Sequence, residues 1–188
     1  DVVIDPLDEN HWYVGVGSGG VWETKNAGVS FKPIFDQQKV YSIGCITLDT
    51  NARNLWVGSG ENVGGRHISF GDGIYLSKDG GKTWNRKLFV NENAGAVDLI
   101  MDPTNPRILY ASSWNIRRTP YSLSSGGEGS ALWKSVDSGE TWKEISKNEG
   151  FAEGILGNIG VAVSPVNNDV VWAIVENKDK GGVYKSMD

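Results

Sequence analysis

The sequence predicts an all-β fold assembled from four consecutive units of four strands each, the last of them truncated, and three observations lead there. An eight-residue pattern, Ser77-Lys78-Asp79-Gly80-Gly81-Lys82-Thr83-Trp84, returns as Ser135-Val136-Asp137-Ser138-Gly139-Glu140-Thr141-Trp142. A weaker copy runs from Thr24 through Asn26 and Gly28 to Phe31, and a fourth opens at Ser186-Met187-Asp188. Each unit also carries an aromatic residue at a near-constant distance beyond a turn, at Tyr13, Trp56, Tyr110 and Trp172. Finally, 25 Gly and 8 Trp among 188 residues, with almost no run of good helix formers, describe a chain of strands and turns.

Taken in order, the innermost strands are expected at residues 2–4, 43–48, 96–101 and 159–163. Each ends in a turn at Asp5-Pro6, Asp49-Thr50, Asp102-Pro103 or Ser164-Pro165, after which the second strand brings in its aromatic. The third strands share a tighter pattern: Gly20-Val21-Trp22-Glu23-Thr24, Gly73-Ile74-Tyr75-Leu76-Ser77, Ala131-Leu132-Trp133-Lys134-Ser135 and Gly182-Val183-Tyr184-Lys185-Ser186. Alternation sets each ring on the same face as the Ser or Thr two residues later, where it packs between neighbouring sheets. Fourth strands start at Ser30, Trp84 and Trp142 and run through Phe35, Phe89 and Ile145. The units therefore cover about residues 1–36, 40–90, 95–146 and 158–188.

The repeated pattern has the chemistry of a hairpin turn. Asp79 and Asp137 accept hydrogen bonds from backbone N–H groups a few residues on, and Gly81 and Gly139 supply a positive φ. Ser77 with Thr83, and Ser135 with Thr141, flank the turn, while Trp84 and Trp142 re-enter the next strand, where a large ring packs into the core and fixes the register. In the weaker copy Asn26 keeps the turn-forming side chain and Phe31 keeps the ring. The pattern resembles the Asp-box, or BNR, repeat S-x-D-x-G-x-T-W of sialidases, sortilin-type ectodomains and xyloglucan-degrading hydrolases. That resemblance implies a β-propeller segment with three complete four-stranded blades and a truncated fourth, in which the box is a structural turn without a catalytic group.

Charge and composition exclude several roles. A net charge of −5, from 18 basic and 23 acidic residues, argues against a nucleic-acid surface. No apolar run is long enough to span a membrane. Cys45, the single cysteine, excludes an internal disulfide and reads as a buried strand residue. His11 and His67 lie in different units with no companion cysteine or paired carboxylates, so neither a metal nor another cofactor is expected.

In blades that alternate up and down, the boxes and the Asp-Pro turns share one face, and the second-to-third connections emerge on the other. Those connections are short around Ser18-Gly19 but long from Gly60 to Asp72, and longest from Asn115 to Ser130. Long loops on a rigid scaffold are the usual carriers of function. Glu61, Arg66 and His67 on one loop, with Trp114, Arg117, Arg118, Tyr121 and Glu128 on its neighbour, are the candidate binding residues. One reading is a polar site for a carbohydrate or an anionic side chain, with Trp114 or Tyr121 as a stacking platform. The other is that Arg66 and Arg117 pair with Glu61 and Glu128 merely to order the loops.

Two functions follow. The first is a non-catalytic binding or scaffolding segment whose partner is another protein or the remaining blades of the same propeller. The alternative is a glycoside hydrolase, sialidase-like or xyloglucanase-like, using carboxylates on the same face, for which the loops hold suitable residue types but no sialidase arginine motif. The stretches Trp12 to Trp22, Gly58 to His67 and Arg117 to Gly127 look like parts of large bacterial proteins with a sortilin-like propeller. This implies a periplasmic or extracellular protein several times longer, with another blade between these segments. Because the chain enters a strand at once and stops inside a box, it is expected to expose an apolar flank on its first blade and to dock on other chains.

Overall fold

The computed structural model describes residues 1–63, 65 and 68–186, and among them the chain forms strands and no helix. Strands β1 (Val2–Asp5), β2 (Asp8–Val16), β3 (Gly20–Thr24) and β4 (Lys32–Pro33) make one antiparallel sheet in that order. The second contains β5 (Ile43–Leu48), β6 (Leu55–Ser59), β7 (Gly73–Ser77) and β8 (Asn85–Leu88). The third contains β9 (Ala94–Met101), β10 (Leu109–Thr119), β12 (Ala131–Ser135) and β13 (Lys143–Glu144), with β11 (Ser122–Ser125) added beside the outer half of β10. β14 (Leu156–Val163), β15 (Val171–Asn177) and β16 (Gly182–Ser186) form the last.

Side-chain alternation decides what each strand buries. In β15, Val171, Ala173 and Val175 turn against the third sheet, while Trp172 and Ile174 face away. β6 and β7 lie between two neighbouring sheets and are buried throughout. Three apolar layers join the sheets in sequence order. Tyr13, Val21 and Phe35 meet Ile43, Ile46 and Tyr75 in the first. Trp56, Ile74 and Leu76 meet Leu99, Leu109 and Ala111 in the second. In the third, Tyr110 and Leu132 meet Ile159, Val161 and Ala173. Cys45 belongs to the middle layer, where burial pushes its thiol pKa up.

The inner strands meet in two ways. The Ile46 N–H donates to Asp1 Oδ2 at 2.9 Å, and the Val161 N–H donates to Asp98 Oδ2 at 2.8 Å, so a carboxylate bridges the first and the last seam. Burial raises the pKa of Asp98, against the pull of the Val161 and Leu99 N–H groups. At the middle seam the backbones themselves touch: a Cβ on Gly44 would stand 2.2 Å from the Ala96 carbonyl oxygen.

The repeated turns use the positions that their copies share. Ser77 Oγ donates to Asp79 Oδ1 at 2.8 Å and accepts from the Gly81 N–H at 2.8 Å. Asp79 accepts from the Thr83 N–H at 2.9 Å and from the Thr83 hydroxyl at 2.6 Å. Ser135, Asp137, Gly139 and Thr141 repeat these contacts. In the weaker copy Thr24 and Asn26 still bind the Gly28 and Ser30 N–H groups. Each turn places two consecutive residues at positive φ, including the non-glycines Ala27 at 51° and Ser138 at 63°. The sequence led us to expect only the glycine.

Three expectations need correction. Phe31 is 46% exposed rather than packed in a core, and Trp84 and Trp142 are only half-buried at the edges of theirs. The fourth strands are shorter than expected, since each leaves the ladder within a few residues. The connection from Asn115 to Ser130 is not a loop for most of its length but the β10–β11 hairpin.

The turn aspartates predict an acid response. Thr83 and Thr141, through hydroxyl and then backbone N–H, hold Asp79 and Asp137 at a pKa of about 2. This lies below the usual ~3.9 of an unfolded Asp, so the stabilisation is complete above pH ~4 and is lost as pH falls through about 2. Asp137→Asn is therefore expected to melt below the parent at neutral pH, with the gap closing as pH falls from about 4 to about 2 in circular-dichroism melts.

Candidate functional site

The longest of the second-to-third connections forms the β10–β11 ribbon. β10 pairs with β12 only from Leu109 to Ser113, then continues from Ile116 to Thr119 beside Ser122 to Ser125. Pro120 and Tyr121 make the two-residue turn, and the Thr119 and Ser122 hydroxyls bond across its base at 2.6 Å. Arg117 and Arg118 are exposed on the ribbon, Leu123 is 48% exposed opposite Arg118, and Tyr121 at the tip is 91% exposed. Among the described residues neither arginine makes an ion pair.

The ribbon is held at its root by a hydrogen-bonded chain crossing three sheets. The Trp114 indole N–H donates to Ser125 Oγ at 3.0 Å, and Ser125 donates to Glu176 Oε2 at 2.7 Å. The same carboxylate oxygen accepts from the Asn158 N–H at 2.8 Å. Asn158 Nδ2 reaches the Asn62 carbonyl at 3.2 Å, and Asn62 Nδ2 donates to the Gly44 carbonyl at 2.8 Å. Glu176, Asn158 and Asn62 were not singled out from the sequence. Asn158 and Glu176 sit near strand ends and Asn62 in a connection, and no motif marks them.

This geometry reassigns several candidates. Trp114 is 5% exposed and spends its N–H on Ser125, so it anchors the ribbon and offers no stacking platform. Glu61 accepts from the buried Ser42 hydroxyl at 3.0 Å and from the Ser69 N–H at 3.2 Å, which ties it to its own loop. Arg117 forms no pair with Glu61 or Glu128, contrary to the loop-ordering expectation. Arg66 and His67 lie outside the described residues. Tyr121 remains free to stack, although so exposed a phenol has no surroundings that would make it a nucleophile.

Beside the ribbon, Glu128 overhangs a cavity of about 650 Å3 shared with Glu144, Glu149 and Glu153. Lys147 pairs with Glu144 and Lys180 with Glu153, both at 2.7 Å. Lys180 holds the Glu153 carboxyl below the usual range. A proton-donating acid needs the opposite shift, so Glu153 is unsuited to that role. In the second sheet, Tyr75 donates to Asp72 at 2.8 Å while Arg86 contacts the same carboxylate at 3.2 Å, which buttresses the strand. Burial, then the bond to Asp72, pushes the Tyr75 hydroxyl pKa up.

No protein-family model and no curated protein sequence matches the chain. Among solved structures, all of it is similar to 28% of a GH74 xyloglucanase from Xanthomonas campestris, with TM-score 0.73 and 19% identity. All of it is likewise similar to 27% of a GH74 enzyme from Niastella koreensis, with TM-score 0.72 and 19% identity. An auxiliary nutrient binding protein from Bacteroides thetaiotaomicron matches 93% of the chain with 35% of its own, at TM-score 0.61 and 13% identity. The chain thus spans about a quarter to a third of these proteins, and at such identity the likeness speaks for fold. With its successive antiparallel sheets, it is an all-β propeller segment of four-stranded blades.

Proposed function

We propose that the chain is a non-catalytic binding segment of a larger propeller, and that the β10–β11 ribbon is its contact surface. The observation that carries this reading is the exposure of Arg117, Arg118, Tyr121 and Leu123 on one projecting ribbon, with both arginines free of ion pairs among the described residues. Arg and Tyr are the residues that dominate binding hot spots, and a guanidinium offers a fork matched to carboxylates. The partner is then a protein surface bearing exposed Asp or Glu. The repeated turns are taken as Asp-boxes and the chain as part of an exported, sortilin-like propeller. The apolar flanks at Val2 and Ile4, and at Trp172, Ile174 and Val183, support docking against further blades.

The test uses an immobilised Glu-rich peptide. Arg117→Glu with Arg118→Glu is expected to weaken binding by about tenfold or more, and binding of the parent falls steeply with salt. Equal binding by parent and variant overturns the reading. A second reading, glycoside hydrolysis, is favoured by the carboxylate-lined cavity, where Glu128 and Glu149 are the pair left without a lysine partner among the described residues. Release of reducing ends from xyloglucan, abolished by Glu128→Gln, would put hydrolysis in place of binding.

A further inference from the structure

We propose that the partner meets the ribbon as an extended segment bearing two consecutive acidic residues, added as a new strand along β10 from Ile116 to Thr119. This rests on the ribbon being the contact surface. β9 pairs with β10 only as far as Ala94, opposite Asn115. Beyond that point β10 has β11 on one side and, among the described residues, no strand on the other. The Asn115 N–H donates to Ser130 Oγ at 2.9 Å and its carbonyl accepts from the Gly126 N–H at 2.9 Å, so Asn115, Arg117 and Thr119 turn their backbone groups toward β11. Ile116 and Arg118 therefore point theirs away, two N–H and two C=O groups with no strand to receive them among the described residues. Pro120, without an N–H, ends the edge.

The other edge of the ribbon is less open. The Gly127 N–H donates to the Leu156 carbonyl at 3.3 Å, and a Cβ on Gly126 would stand 2.6 Å from that oxygen, so the start of β14 closes the root of β11. The arginines then select the kind of strand. Being consecutive, Arg117 and Arg118 project from opposite faces of the ribbon, and both are exposed. A flat acidic surface reaches one of them. A strand lying about 4.8 Å away presents successive side chains to both faces, so two adjacent carboxylates stand opposite the two guanidinium groups. The same charges repel a second copy of the ribbon, which leaves an acidic segment as the occupant.

The probe is a synthetic Thr-rich peptide with an Asp-Glu pair at its centre, titrated into the chain. It is expected to bind about tenfold more tightly than a peptide of the same composition whose two acids are separated by one residue. N-methylation of the peptide amides that face β10 is expected to weaken it by about tenfold or more. In the complex the Ile116 and Arg118 amides are expected to exchange with solvent about tenfold more slowly. Equal affinity of the methylated peptide, or unchanged exchange at those two amides, overturns strand addition. The ribbon's role as contact surface falls separately, if Arg117→Glu with Arg118→Glu leaves the binding of both unmethylated peptides as it was.

Discussion

Trp56→Ala is expected to cost about 3–5 kcal/mol, the largest loss from any single side chain in the molecule. The indole is 2% exposed in the layer between the second and third sheets, where it meets Leu99 and Leu109 from the next sheet. It also floors the turn of that sheet, because Gly139 rests on its six-membered ring. Deleting it removes packing from two sheets and leaves a gap that rigid strands cannot close. In a domain of this size the loss corresponds to a fall in Tm of roughly 10–15 °C. A fall of only a few degrees in circular dichroism would mean that the sheets do not rely on this layer.

Gly139→Ala should cost about 2–4 kcal/mol through two separable effects. Its φ of +76° is strained for any residue with a Cβ, and that Cβ would stand 2.2 Å from Trp56 Cη2. Gly150→Ala is the control, with a φ of +85° but nothing within 4 Å of the added carbon. It should show only the conformational part, about 1–2 kcal/mol. In the Trp56→Ala background the steric part of Gly139→Ala should vanish, so the two substitutions together cost less than their sum. Strict additivity in urea titrations would place the turn and the indole out of contact.

Much of the fold was legible because it is written in local, repeated chemistry. The Asp79 and Asp137 turns bind the N–H groups that a hairpin of that spacing must satisfy, and Tyr13, Trp56 and Tyr110 each fall in the layer toward the next sheet. Trp172 has the same register but no sheet beyond it among the described residues, and is 42% exposed. The β10–β11 hairpin escaped notice since its strands, from Ile116 to Ser125, are polar on both faces and carry no alternation to read. Burial of Trp114 could not be inferred either. Its indole N–H is held by Ser125 and, through it, by Glu176, a residue in another sheet.

The middle seam also decides where the molecule is stiff. At the outer seams a carboxylate side chain bridges the sheets, and rotation about its own bonds can absorb small displacements. Where Gly44 meets Ala96 no side chain stands between the main chains, so sliding would require the backbone itself to deform. The second and third sheets therefore behave as one lever carrying the ribbon. Compliance is left to the first and fourth, and a pull on the ribbon's tip reaches the fourth sheet through Glu176 before it can bend the second.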